Sequence, residues 1–95
     1  MEHYTGRIVL AAAGRDKNEW FFVTGVSGEY LLLADGKRRR AEHPKRKKPK
    51  HVQILDEIAF DHPTIGKLKQ REPVSNRELR LALAAFKEGK PRGER

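Results

Sequence analysis

Turn signals at short intervals divide the first half of this chain into segments of strand length. Apolar, β-branched and aromatic residues predominate at positions 7–10, 19–24, 29–34 and 51–55, and these residue types favour strands. The polar turn 14–18 and the dipeptides Ser27-Gly28 and Asp35-Gly36 separate the first segments. Asp35-Gly36 also predicts a hairpin, with residues 37–41 as its return strand. Five short strands in so short a stretch predict a small barrel, because closure removes exposed strand edges.

The second half has a helical pattern. Residues 75–78 (SNRE) fit a capping box, with a hydroxyl at the N-cap and a carboxylate three residues later. One face of the predicted helix, about residues 76–88, carries apolar side chains at helical spacing: Leu79, Ala82, Leu83 and Phe86. Pro63 predicts the first turn of a short helix upstream. We therefore divide the chain into a barrel at 1–56 and, at 57–95, a linker followed by an amphipathic helix.

All of the net charge comes from one segment. Residues 36–51 contain nine basic residues and a single acid, Glu42, which accounts for the formal net charge of +8. Such a density of cations repels itself and opposes compaction, whereas an RNA or DNA backbone would neutralise it and release counterions. The segment therefore predicts a polyanionic partner. A solvated loop that improves solubility and a nuclear-localisation signal are the alternative interpretations.

Several function classes are disfavoured by residues that the chain lacks. Without cysteine there is no disulfide, thiolate zinc site or cysteine nucleophile. No phosphate-binding loop or nucleophile-elbow motif occurs, and the four histidines form no local ligand pair. We expect no enzyme, no cofactor and no metal.

The apolar stretches are short. The longest spans residues 8–13, whereas a membrane-spanning helix needs about 20 apolar residues. We expect no membrane contact, and a monomeric protein of the cytoplasm.

The first half resembles the KOW motif of ribosomal proteins and transcription elongation factors. Residues 6–10 (GRIVL), 13–17 (AGRDK) and 22–26 (FVTGV) correspond to its strand, glycine-containing basic turn and second strand. The continuation is similar to bacterial KOW-domain RNA-binding proteins and to KOW-containing large-subunit ribosomal proteins: YLLLADG at 30–36, two arginines at 38–39, and PKRKK at 44–48 followed by Lys50 and His51. The resemblance covers residues 4 to about 55, and the motif at 75–80 is more weakly similar to tails of the bacterial group.

This resemblance implies a mainly β fold, a five-stranded SH3-like barrel followed by a C-terminal helical tail, with loops that bind ribosomal RNA. One departure is that Asn18 and Glu19 occupy positions where the motif usually has glycine and lysine. Asparagine tolerates positive φ better than other non-glycine residues, so we expect the turn to persist. Glu19, however, places an acid where the motif is basic.

The expected RNA contacts are on the first turn, the predicted basic strand and the arm at 45–50. Alternation on residues 37–41 would send Arg38 and Arg40 to one face and Arg39 to the other. The candidate RNA-binding residues are Arg15, Lys17, Lys37, Arg38, Arg39, Arg40, Lys45, Arg46, Lys47, Lys48, Lys50 and His51. Phe22 is expected in the core, whereas Trp20 and Tyr30 fit either the core or a surface on which bases stack.

The function predicted from these observations is an RNA-binding accessory module, associated with ribosomal RNA or the ribosome. The alternative is a protein-interaction module of the transcription or translation machinery, whose C-terminal helix docks a protein partner. A nonspecific binder of duplex DNA is a third hypothesis.

Overall fold

A five-stranded antiparallel sheet forms the centre of the molecule. The computed structural model describes residues 4–56 and 60–89. The elements are β1 (Ile8–Ala11), β2 (Trp20–Ser27), β3 (Tyr30–Ala34), β4 (Lys45–Lys47), a 3₁₀ turn (Pro49–His51), β5 (Val52–Ile54), α1 (Pro63–Lys69) and α2 (Asn76–Gly89). The strands lie in the order β4-β3-β2-β1-β5. A small, mainly β domain with a C-terminal helix is therefore confirmed.

Alternation along the strands gives the sheet two buried faces. On β2, Phe21 and Val23 belong to one apolar cluster, while Phe22 belongs to the other. We call the first the inner face; its fully buried side chains come from β1, β2 and β3, with Val52 and Ile54 of β5 packed beside them. The second is the helix-covered face. A two-residue period in a strand places successive side chains on opposite sides in this way.

The two helices cover one side of the sheet. Their buried residues form one cluster with Ile8 of β1, Phe22 of β2 and Ala34 of β3; the helical members are Ile65, Leu68, Leu79, Ala82, Leu83 and Phe86. The apolar side of α2 is thus buried within the molecule. Within the described ranges, no helix is long and apolar enough to cross a membrane.

Both predicted helix starts are confirmed. The Ser75 hydroxyl accepts a hydrogen bond from the Glu78 amide at 3.1 Å, and the Glu78 carboxylate accepts one from the Ser75 amide at 2.9 Å. This reciprocal pair is a capping box. Pro63 lies in the first turn of α1, where the ring of His62 accepts a hydrogen bond from the Thr64 amide.

The prediction of a return strand at residues 37–41 is wrong. The Asp35 carboxylate accepts hydrogen bonds from the amides of Lys37 and Arg39, each at 2.9 Å, and the Ala41 amide donates to the side chain of Asn76. These contacts occupy backbone donors that a strand would offer to β3. The strand that follows β3 in the chain and pairs with it is instead β4, in the stretch predicted as an arm.

Candidate functional site

The first turn keeps its shape without the usual glycine. Asn18 adopts a φ of 72°, and Gly14 a φ of 85°. The Asn18 amide donates to the Ala11 carbonyl at 2.8 Å, and the Ala11 amide donates to the Glu19 carbonyl at 3.0 Å, so the turn closes directly on β1. The prediction that asparagine preserves this turn is confirmed.

Asp16, at the tip of this turn, attracts two of the predicted RNA-binding cations. Asp16 is only 5% exposed to solvent. The Arg39 guanidinium donates to its carboxylate at 2.9 Å, and the Lys45 ammonium lies 3.9 Å from the same oxygen. These contacts join the first turn, the 35–41 loop and β4. Arg39 and Lys45 therefore have structural partners inside the protein.

Strand β4 divides its basic side chains between two directions. Lys45 and Lys47 are paired with Leu33 and Leu31, which lie on the inner face. The Lys47 ammonium reaches the Ala13 carbonyl at 2.8 Å. Arg46 lies between them in sequence, so it points to the other side of the sheet, where it is exposed.

The 35–41 loop is fastened to the start of α2. Asn76 accepts a hydrogen bond from the Ala41 amide at 2.7 Å and donates one to the Glu42 carboxylate at 2.8 Å. The Arg80 guanidinium donates to the Gly36 carbonyl at 2.8 Å. Two residues of α2 thus position a loop that lies more than thirty residues earlier in the chain.

The same contacts set the charge state of Glu42. Hydrogen bonds from Asn76, from its own backbone and from Arg40 lower the pKa of the Glu42 carboxyl from 4.5 to about 2. Arg40 donates to that carboxylate at 3.1 Å. Arg38 lies 3.7 Å from Glu19, and both side chains are exposed, so this pair is weak. Arg38 and Arg40 each have an acid nearby, but neither side chain is buried.

A further set of candidate cations projects into solvent without any internal partner. Within residues 4–56 and 60–89, no hydrogen bond or ion pair holds these exposed side chains: Arg15, Lys17, Lys37, Arg46 and Lys50. Arg15 and Lys17 flank Asp16, and so lie beside the Arg39 and Lys45 contacts. The half-buried His51 lies in the 3₁₀ turn, where its carbonyl accepts from the Ala12 amide.

The aromatic residues have different surroundings. Phe22 is fully buried, as predicted. Trp20 packs against Phe86 with 5.7 Å between ring centroids, and the Lys87 ammonium lies over the Trp20 ring, 5.2 Å from its centroid. Tyr30 is half-buried, and its described neighbour is the Lys48 ammonium, 6.0 Å from the ring centroid. Trp20 thus belongs to the packing beneath α2, whereas Tyr30 is a member of neither core cluster.

Sequence reasoning missed the supporting residues on α2. The local sequence pattern indicates only a capping motif at Asn76, and nothing in the local pattern of Arg80 indicates a contact with Gly36. The glycine at position 36 is a partial signal, because glycine is favoured where a turn needs positive φ or where another element approaches closely; in the structure Gly36 has a φ of 80°.

Comparisons with known proteins give no assignment. No protein-family model matches the chain, and no curated protein matches it either. Among the described residues, no group of three or more histidine, aspartate or glutamate side chains is arranged to hold a metal ion.

Proposed function

We propose that this protein is an RNA-binding module that associates with ribosomal RNA through the basic surface formed by the first turn, the 35–41 loop and β4. The observation that carries the proposal is that some cations of this surface make contacts within the protein, whereas others are exposed to solvent. Arg39, Lys45 and Lys47 make internal contacts. Arg15 and Lys17 on the first turn, and Arg46 on the other side of β4, are exposed and have no partner among the described residues. A phosphate backbone can neutralise the second set without disturbing the first.

We also infer that the sheet curls into an SH3-like barrel. In a flat sheet, β4 and β5 would lie about 19 Å apart, at a strand spacing of about 4.8 Å. The chain from Lys47 to Val52 reaches at most about 18 Å when fully extended, and here it includes a 3₁₀ turn at Pro49–His51, which shortens it to a rise of about 2.0 Å per residue. The two outer strands must therefore approach each other.

The inner face supports the same inference. Lys47 of β4 reaches the carbonyl of Ala13, just beyond β1, although β1 is three positions away in the strand order. Val9, Phe21 and Leu33 are fully buried on this face. No described helix belongs to that cluster, so the strands themselves must enclose it.

A rigid platform of this kind suits recognition of folded RNA. Phosphate contacts from unpaired cations would supply affinity and fix the orientation of the protein. The shape of the RNA and its unpaired nucleotides would supply selectivity, because side chains cannot read the deep, narrow major groove of an RNA duplex. Ribosomal RNA offers both features, in agreement with the KOW resemblance of residues 4 to 55.

The alternative, a protein-interaction module that docks through α2, receives no support from that helix. Its apolar side chains are packed against the sheet, and among the described large hydrophobic residues only Leu81 is exposed. A nonspecific duplex-DNA binder would use the same cations. Competition between duplex DNA and ribosomal RNA at equal salt distinguishes it from the proposed function.

Charge-matched variants test the proposal. In the first variant Arg15, Lys17 and Arg46 become Gln; in the control, the exposed Lys69, Arg71 and Arg77 become Gln, which removes the same charge elsewhere. Binding of large-subunit ribosomal RNA is measured by fluorescence anisotropy over a salt series. The first variant should bind more weakly, with the slope of log K against log salt reduced by about 0.7 to 0.9 for each lost phosphate contact. The proposal is wrong if both variants bind like the parent.

Cosedimentation with large ribosomal subunits at low and high salt tests the association with the ribosome. Crosslinking followed by sequencing of the bound RNA would identify the site. Retention of a protein partner after nuclease treatment would favour the interaction-module alternative instead.

A further inference from the structure

We propose that the outer face of the β3–β4 ribbon holds an unpaired nucleotide of RNA, with its base stacked on Tyr30 and its phosphates held by Arg46 and Lys48. This inference deepens the proposed function and depends on it. It specifies single-stranded RNA, rather than duplex, as the chemistry recognised at this end of the molecule.

The strand register brings the three side chains together. Leu31 pairs with Lys47 and Leu32 with Arg46. Because Leu31 points to the inner face, its neighbour Tyr30 points outward, as do Arg46 and Lys48. The Lys48 ammonium lies 6.0 Å from the centre of the Tyr30 ring, as expected for side chains on one face of neighbouring strands.

This part of the outer face is open. The strand residues that pack with the helices are Ile8, Trp20, Phe22 and Ala34, and Ala34 lies at the far end of β3 from Tyr30. Next to Tyr30 in sequence, Gly28 and Glu29 line an open groove together with Lys48, Pro49 and Lys50. Tyr30 is not one of these lining residues, but it directly follows Glu29 in the chain and its ring centroid lies 6.0 Å from the Lys48 ammonium. The groove therefore offers space for a flat ring close to the aromatic side chain.

The chemistry of the groove fits a nucleotide better than a neutral ligand. Base–aromatic stacking tolerates any base, because every base has a π face. Lys48 lines the groove and sits at the outer limit of a cation–π contact with Tyr30. Arg46 lies outside the groove's lining on the same face of the ribbon, and it is exposed without a partner among the described residues. Both cations are therefore available to phosphate oxygens. Glu29 is the acid at the rim, and it would keep phosphates on the β4 side of the groove.

Two substitutions separate stacking from charge. Tyr30→Phe keeps the ring, and Tyr30→Leu removes it while retaining an apolar side chain. Each full-length variant is tested against an unstructured RNA oligonucleotide and an RNA duplex of equal length at equal salt. Tyr30→Leu should weaken binding of the single strand by about 5- to 150-fold and leave duplex binding unchanged. Tyr30→Phe should bind both like the parent.

Photo-crosslinking of the unmodified protein to oligonucleotides containing 4-thiouridine gives a readout that does not depend on folding of the variants. The adduct should map to the peptide that contains Tyr30. Adducts confined to other peptides, or a Tyr30→Leu protein that binds the single strand like the parent, would overturn the inference.

Failure of the inference and failure of the proposed function are distinguishable. If Tyr30→Leu has no effect while neutralising Arg15, Lys17 and Arg46 still weakens binding, the basic surface binds RNA but Tyr30 does not stack. If the parent protein binds neither form of RNA, the proposed function fails and the inference fails with it.

Discussion

Asp16 is the residue on which the first turn, the 35–41 loop and β4 converge. Asp16 is nearly buried, and its carboxylate accepts a hydrogen bond from Arg39 and forms an ion pair with Lys45. Among the described residues, the Arg39 Nε atom is buried and has no hydrogen-bond partner, so the side chain of Arg39 depends on Asp16 for its polar contact. One carboxylate thus stabilises a stretch of chain that would otherwise repel itself.

Neutralising Arg39 should therefore lower the free energy of unfolding and have little effect on the affinity for RNA. Arg39→Gln loses a charge-assisted hydrogen bond to a nearly buried acid, and we expect a loss of about 1–2 kcal/mol after allowing for its partial exposure. Urea unfolding measures this change. The RNA affinity of the folded fraction should keep the parental salt slope. A reduced salt slope with unchanged stability would instead make Arg39 a phosphate contact.

Gly36 allows the 35–41 loop to approach α2. Its φ is 80°, and a Cβ atom there would overlap the Asn76 carbonyl oxygen. Gly36→Ala therefore adds a clash with backbone to the positive-φ cost of about 1–2 kcal/mol. Gly28→Ala is the matched control, because its φ is 61° and no heavy atom of the described residues lies within 4 Å of the added methyl. Thermal unfolding should show a clearly larger loss for Gly36→Ala; equal losses would contradict the proposed close approach.

At the scale of elements, the start of α2 supports the basic loop. Asn76→Ala removes the hydrogen bonds to the Ala41 amide and the Glu42 carboxylate, each worth about 1 kcal/mol. We expect amide exchange at Ala41 to accelerate while the amides in the middle of α2 stay protected. Arg77→Ala, at the adjacent exposed position, is the control. Unchanged protection at Ala41 in the Asn76 variant would contradict the support role.

The contact between α1 and α2 predicts a response to acid. The hydrogen bonds from Lys67 and from the Ser75 backbone lower the pKa of Glu78 from 4.5 to about 2, and Glu78 raises the pKa of Lys67. A carboxyl whose pKa is lower in the folded state stabilises the fold above its unfolded pKa. That contribution is lost as the pH falls from about 4.5 towards 2.

Melting temperatures measured between pH 6 and pH 2 check this expectation. Glu78→Gln should flatten the acid-induced decline relative to the parent, whereas the exposed Glu88→Gln should follow the parent closely. An unchanged pH profile in the Glu78 variant would show that the Lys67 and Ser75 contacts do not couple proton binding to folding.

Elements with a strong local pattern were predictable from sequence. The capping box at 75–78 and the spacing of Leu79, Leu83 and Phe86 specify α2, and the alternation on β2 specifies two faces. The 37–41 segment was not predictable, because its backbone donors are taken by Asp35 and by the distant Asn76. Likewise, the local charge indicates a basic surface. Only the tertiary contacts show that Lys47 is held within the protein while Arg46 is exposed.

At the scale of the molecule, the helices complete the core of the sheet. Leu79 is fully buried against it, while Leu81 is 53% exposed on the same helix. Leu79→Ala should cost about 2–5 kcal/mol, and Leu81→Ala no more than about 0.5 kcal/mol. Chemical denaturation of the pair measures this difference. Similar losses at both positions would mean that α2 does not pack on the sheet through this face.

The two-residue period of β4 has a consequence for how related chains should be compared. Moving its residues by one position, through a single insertion before Lys45, would turn the lysines that now reach the first turn towards solvent and bring Arg46 over the inner face. Composition and formal charge would stay almost the same, while the anchoring and exposed cations exchanged places. An alignment of this strand should therefore compare which of its alternate positions, odd or even, carry the basic residues. The total number of basic residues does not tell which of them a phosphate can reach.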